Sequence, residues 1–390
     1  MVSACVERRS DMTGDFSNMK CNGDFKGIVI WGWSRCRSVM GMMRELAGMV
    51  PVKFALWHDG VGDYRIEQGH RANEFDDMEA IVVGDDWDAA AGLFNATKGW
   101  VHLVSPYQKS PLARRIAVAA HERGDVVGII CEAPWNGKRY GAFKDMAKPM
   151  WWLRRFADGC RSVLWNMYLR TFLKWRIRKV VAAADFFVMY SGNDMHTACA
   201  AGWPESKLVG YGYFSPPLEG SAAIKRHQPS TSGHVFNVLA TGTSGCEHRG
   251  AIVLKKAEAL FRKQHPDVKV NFLMPEFVSA EDVRRLYQTC DVFIGAGENE
   301  PWGMRLNDAL NCGSPLLVSD GMGGRKIVEQ TGAGLVFRHK DEYDLADKLF
   351  ELISNYGRYA EAAYMARERF SCKAGAEELL RIVRQHIGRE

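Results

Sequence analysis

No apolar run in this 390-residue chain approaches the roughly 20 residues that a membrane-spanning helix requires. The best candidate, residues 180–190, is interrupted by Asp185. The first 25 residues are polar and carry no apolar signal core, so a flexible arm and a cytoplasmic chain are expected. Ten cysteines are scattered without any C-x-x-C pair or a histidine at zinc spacing. That argues against a structural zinc site and fits free thiols in a reducing compartment. Internal repeats and low-complexity tracts are missing too, which argues against a solenoid or a disordered scaffold. What is there is ordinary globular material, 47% hydrophobic and 25% charged. At this length one core is too little, and two domains of roughly 150–200 residues are expected.

Apolar segments alternate with amphipathic ones along the first half. Strands are predicted at 27–31, 52–57, 80–83, 100–104, 126–131 and 185–190, with helices between them, such as 38–49 and 110–123. This alternation predicts a parallel sheet covered on both faces. Ser215-Pro216-Pro217-Leu218-Glu219-Gly220 and the polar run to Gly233 break the rhythm and predict the hinge. A second alternation begins at 236–240, continues through 268–273, 291–295 and 315–318, and turns helical after Val336 (345–355, 359–370 and 374–388). The division expected is an arm (1–25), a first α/β domain (26–217), a linker (218–233), a second α/β domain (234–370) and a last helix (371–390).

The most informative stretch is Glu300-Pro301-Trp302-Gly303-Met304-Arg305-Leu306-Asn307-Asp308. Two carboxylates with seven residues between them follow a buried-looking strand, and the loop runs into a helix. A parallel sheet gathers its polar work at the carboxyl ends of its strands. Gly303 lets backbone come close to a ligand, and the following helix turns its free N–H groups toward an anion. Carboxylates for hydroxyls beside amides for phosphate suit a nucleotide sugar.

This segment resembles the Glu-x7-Glu signature of retaining glycosyltransferases of family 4, which share the two-domain GT-B fold. The likeness runs from Leu273 to Val336. It takes in a Ser-x-x-Asp helix start (Ser279 to Asp282), "VRRLYQTC", "DVFIG", the acidic loop, "MRLNDALNCG", "SPLLVSD", "GMGGRKIVE" and "TGAGLVF". The resemblance implies two Rossmann-like domains facing a central cleft, with the last helix crossing back to the first domain. It implies that Glu300 binds donor-sugar hydroxyls and that Asp308, where the family has Glu, takes the ribose hydroxyls. Trp302, Gly303 and Met304 fall on the same donor-binding loop. The donor expected is a nucleoside diphosphate hexose, GDP-mannose first and UDP-glucose next, and a divalent metal is not expected.

After the first strand of the second domain comes Thr241-Gly242-Thr243-Ser244-Gly245-Cys246-Glu247-His248-Arg249-Gly250. The family places two cations here for the diphosphate. Arg249 fills the second position, whereas Thr243 stands at the first, and Arg325 or Arg35 are possible substitutes. Thr241, Gly242 and Thr243 are read as donor-binding and Arg249 as catalytic. In the first domain Gly32 is expected to approach the donor phosphates. Glu132, where many relatives have His, reads either as a catalytic-face residue or as a structural one. Trp31, Trp33 and His102 stay open between core and cleft. Asp86-Trp87-Asp88 is similar to the Asp-x-Asp metal motif of another glycosyltransferase fold, but reads better as an acidic helix start.

Residues 138–179 hold twelve Lys or Arg against two Asp, interleaved with aromatics. They fit either an anionic membrane or lipid-diphosphate contact or a helix pair with solvated cations; no recognised nucleic-acid module accompanies them, so nucleic acid is not expected as a partner. The function expected is transfer of a hexose to a hydroxyl of a glycan, lipid-linked sugar or glycoprotein. A GT-B sugar-nucleotide epimerase or a non-catalytic nucleotide-sugar binder would use much of the same sequence.

Overall fold

The computed structural model describes residues 25–32, 37–57, 78–105, 110–131, 174–200, 202–218, 233–241, 250–275, 279–298 and 300–387. Two parallel sheets organise them. The first comprises β1 (Ile28–Gly32), β2 (Val52–Leu56), β3 (Ile81–Val82), β4 (Val101–Val104), β5 (Val127–Cys131), β6 (Phe186–Met189) and β7 (Leu208–Gly210). Their order in space is β3-β2-β1-β4-β5-β6-β7. Helices α1 (Arg37–Ala47), α2 (Trp87–Ala96), α3 (Pro111–Glu122), α4 (Lys174–Ala183) and α5 (Gly192–Ala200) belong to it. The central strands are buried along their whole length, as in VHLV of β4 and FFVM of β6. Continuous burial of this kind is what helices on both faces of a parallel sheet produce.

The second sheet holds β8 (Phe236–Leu239), β9 (Val270–Leu273), β10 (Val292–Gly295), β11 (Leu316–Ser319) and β12 (Gly334–Phe337), in the order β12-β11-β10-β8-β9. Its helices are α6 (Ala251–Gln264), α7 (Ala280–Thr289), α8 (Met304–Asn311), α9 (Arg325–Thr331), α10 (Glu342–Ser354) and α11 (Tyr356–Arg369), and α12 (Cys372–His386) is the last described helix. Local chemistry marks the helix starts. Ser110 accepts from the Ala113 amide at 3.0 Å with Pro111 as first helical residue, and Ser279 accepts from the Asp282 amide at 3.2 Å. Each such cap is worth about 1 kcal/mol.

Connectivity reverses direction between β1 and β4 in one sheet and between β8 and β10 in the other. These two switch points open crevices at the carboxyl ends of the strands. The two sheets meet at those ends. A β-carbon added at Gly323, in the turn after β11, would lie 2.4 Å from Cβ of Ser191, which follows β6.

The polypeptide between the sheets is not a solvated tether over its described part. Phe214, Ser215 and Leu218 are buried, and the Tyr211 hydroxyl donates to the Gly375 carbonyl of α12 at 2.6 Å. Asn307 of α8 donates to the Tyr213 carbonyl at 2.9 Å, and Asn311 donates to Ser215 Oγ at 3.1 Å. Residues 211–218 thus form a strap held from both sides, whereas 219–232 lie outside the described residues. Helix α12 packs along α1. A β-carbon at Gly41 would sit 2.9 Å from Cys372 Sγ, and the His386 ring lies 4.6 Å from that of Phe186.

Candidate functional site

Glu300 follows β10 and pairs as an isolated parallel bridge with Met322 of the β11–α9 turn. Two backbone bonds pin this acidic loop to that turn: Gly323 N–H donates to the Glu300 carbonyl, and Gly324 N–H to the Trp302 carbonyl, both at 2.9 Å. The approach is close enough to exclude side chains. A β-carbon at Gly323 would come 1.7 Å from the Pro301 oxygen, and one at Gly321 would come 2.3 Å from the Glu298 oxygen. The Gly-rich run is therefore a packing requirement of the acidic loop.

The Glu300 carboxylate lies over two further glycines. A β-carbon at Gly297 would stand 2.8 Å from Oε2, and one at Gly303, whose φ is +94°, would stand 3.6 Å from Oε1. Arg305 of α8 holds this carboxylate, its Nη2 donating to Oε2 at 2.9 Å and to Oε1 at 3.2 Å. Its Nη1 donates to the Thr241 carbonyl at the end of β8. One guanidinium therefore ties together the tips of β8 and β10, the strands on either side of the switch point. The Thr241 hydroxyl lies 3.0 Å from the Tyr287 hydroxyl. Burial, followed by the Asp308 charge, holds the Tyr287 phenol well above its ordinary pKa. Asp308 is half-buried, one turn beyond Arg305 on the same helix. Nearby, Gly250 (φ +83°) begins α6, and a β-carbon there would meet the Ala296 oxygen at 2.3 Å. The start of α6 thus packs against the loop after β10.

Glu300, Thr241, Gly303, Met304 and Asp308 gather at this crevice. Two expectations change. Trp302 is 1% exposed, and its indole N–H donates to Asn307 Oδ1 at 2.7 Å, so its side chain belongs to the core beside the strap. Apolar area of that size is better placed under the loop than in a polar cleft. The Thr241 hydroxyl is likewise spent on Tyr287, because its residue is only 6% exposed. Gly32 ends β1, and among the described residues the nearest heavy atom to an added β-carbon is 3.9 Å away. Arg249, Gly242, Thr243, Glu132, Trp33 and Arg35 lie outside the described residues. Arg325 is engaged on its own helix, with Glu329 at 3.2 Å and the Asp320 carbonyl.

His102 is fully buried. The Trp31 indole donates to its Nδ1 at 3.0 Å, and Arg123 and Asp125 surround the other nitrogen. Burial brings its pKa down to about 4. It is a core histidine. Asp86 caps α2, accepting from the Asp88 amide at 3.0 Å, which is the helix-start reading of that acidic pair. Of the basic stretch 138–179 only 174–179 are described, and there Trp175 is 60% exposed. Among the described residues no helix is long and apolar enough to cross a membrane.

Sequence reasoning missed Arg305. A signal existed: a cation in the first turn of a helix opposes the helix dipole at a cost of about 0.3–1 kcal/mol. A residue placed against that field calls for a partner, and here the partner is Glu300.

Residues 254–369 match the family model described as glycosyl transferases group 1. A mannosylfructose-phosphate synthase of Agrobacterium fabrum is 24% identical over 170 residues, 43% of this chain and 36% of that protein. A D-inositol 3-phosphate glycosyltransferase of Stackebrandtia nassauensis is 30% identical over 114 residues, 28% of this chain and 25% of that protein. The chain thus spans about a third or less of the length of these curated relatives. The crystal structure of Anabaena Alr3699/HepE in complex with UDP superimposes with a TM-score of 0.59 at 13% identity, covering 92% of this chain and 100% of that one. The chain has the GT-B glycosyltransferase fold, and the stretch from α6 to α11 carries the match to the glycosyl transferases group 1.

Proposed function

We propose that this chain is a retaining glycosyltransferase of the family 4 type that moves a hexose from a nucleoside diphosphate donor to a hydroxyl acceptor. The observation that carries the reading is the placement of Glu300 and Asp308 around Arg305 and Thr241 at the switch point of the second sheet. Glu300, Arg305 and Asp308 fall within the segment matched by the glycosyl transferases group 1 model. Glu300 would accept hydrogen bonds from sugar hydroxyls and Asp308 from the ribose. A carboxylate one methylene shorter than the family's Glu would reach the ribose directly or through water.

In the step proposed, the bond from the anomeric carbon to the diphosphate oxygen breaks while the acceptor oxygen bonds on the same face. The acceptor's proton passes to the departing phosphate oxygen, so no side chain need act as base. Stabilising the leaving diphosphate is the largest contribution, and Arg249 with the loop amides would supply part of it. GDP-mannose remains the first donor to test, in keeping with the mannosyl product named for the Agrobacterium relative. UDP-glucose is the second, the ligand named in a further structure of the Anabaena protein.

The test is proton NMR of the purified chain with each nucleotide sugar, alone and with glycan, lipid-linked and glycoprotein acceptors. Transfer with retained anomeric configuration is expected. Conversion of the nucleotide sugar without an acceptor would make the chain an epimerase, and binding without turnover would make it a binder. Contact of 138–179 with an anionic membrane is checked by co-sedimentation with liposomes; no salt-sensitive binding would leave that stretch a solvated helix pair.

A further inference from the structure

Within the donor site just proposed, on which this inference rests, one side chain has no role assigned. Arg305 stands second in α8, with Gly303 as the residue before the helix and Met304 as its first. Its side chain is 20% exposed, so the guanidinium is largely withdrawn from solvent yet reaches the crevice. A guanidinium carries five N–H donors in a fixed fork. Nη2 serves both Glu300 oxygens and Nη1 serves the Thr241 carbonyl. Among the described residues Nε has no partner.

Charge sharpens the point. Glu300 and Asp308 bring two negative charges to a site that must accept a diphosphate, and Arg305, paired with Glu300 and three residues before Asp308 on α8, is a cation at that site. The 241–250 loop has Thr243 at a position suited to a cation, and Arg325 is turned to Glu329. A strongly anionic ligand entering here would therefore draw on Arg305 for neutralisation in addition to Arg249 and the loop amides.

We propose that Arg305 is a bifunctional donor-site residue: it meets the leaving diphosphate with its unused N–H groups while holding the Glu300 carboxylate at the angle that grips the sugar. The two duties separate by substitution. Lysine keeps a point charge but cannot fork between Glu300 and Thr241. Arg305→Lys therefore retains most of the diphosphate affinity and loses turnover. Methionine keeps the aliphatic stem and loses both. Glu300→Gln leaves the diphosphate contact in place.

The experiment is isothermal titration of UDP and GDP, and of the matching nucleosides, into the wild type, Arg305→Met, Arg305→Lys and Glu300→Gln, with melting curves for each. Steady-state kinetics follow on whichever donor proves active. Arg305→Met is expected to weaken the nucleoside diphosphate at least tenfold while nucleoside binding stays within about threefold. A merely structural role would move both together. Glu300→Gln is expected to bind the diphosphate within about threefold of wild type. Arg305→Lys is expected to lower kcat at least tenfold with KM little changed. Wild-type diphosphate affinity in a folded Arg305→Met protein would overturn the phosphate contact. Wild-type kcat in Arg305→Lys would overturn the positioning of Glu300, and that result stands even if the methionine variant fails to fold. A wild-type chain that binds neither UDP nor GDP would instead refute the donor-site reading itself.

Discussion

Replacing Asn307 by alanine tests how the acidic loop is fastened to the rest of the molecule. Asn307 is 1% exposed and links the acidic loop to the strap. Its Oδ1 accepts from the Trp302 indole at 2.7 Å, and its Nδ2 donates to the Tyr213 carbonyl at 2.9 Å. Removing the amide takes the acceptor from the buried Trp302 N–H, at about 1–3 kcal/mol, and breaks the bond to the Tyr213 carbonyl as well. A total of about 2 kcal/mol is expected, which for a chain of 390 residues lowers the melting temperature by about 2–3 °C. Thermal unfolding followed by near-ultraviolet circular dichroism measures it. A double-mutant cycle adds specificity: in Trp302→Phe there is no indole N–H to abandon. Asn307→Ala should therefore cost about 1 kcal/mol less in that background. A single Asn307→Ala variant melting within 1 °C of wild type, or strict additivity in the cycle, would refute the bridge.

Glu300→Ala should reduce transfer roughly 10- to 100-fold with the melting curve unchanged, since a hydrogen bond to a charged group is worth about 1.5–3 kcal/mol. Near-normal turnover in that variant would remove Glu300 from the site. Gly323→Ala places a β-carbon 1.7 Å from the Pro301 oxygen, and forcing the two loops apart should cost about 3 kcal/mol and most of the activity; a wild-type melting curve would contradict the close packing. Acid should weaken the first domain through His102. Its pKa falls from 6.5 to about 4 on folding, so the unfolded chain binds more protons between those values and stability declines as pH drops through them. Between pH 7 and 4.5 the loss is about 2 kcal/mol, read as a lower urea midpoint of tryptophan fluorescence. His102→Gln should flatten that pH dependence, and an unchanged slope would sink the assignment.

Much of the fold was legible because the segments agree with one another. Continuous apolar runs such as those of β4, β6 and β11 can only be doubly covered strands, and Ser110 and Ser279 announce the helices they cap. The site was legible in outline, since Glu300 and Asp308 are fixed by spacing on one loop and helix. Three things were not. Trp302 looks like a ligand-facing aromatic, yet its burial depends on the strap, more than eighty residues earlier in the sequence. The glycines at 321, 323 and 324 stand out in the sequence only as a Gly-rich run, and nothing local tells that each is needed where two loops touch. Arg305 serves partners five residues and 64 residues away, and the second separation cannot be read from spacing. Long-range partners decided every miss.

The most direct test of the account is a crystal structure of the chain with a non-hydrolysable nucleotide sugar. The diphosphate should lie within hydrogen-bond distance of Arg305, with sugar hydroxyls on Glu300 and the ribose on Asp308. Donor seated elsewhere, with the Glu300–Arg305 pair untouched and the crevice between β8 and β10 empty of it, would contradict the account.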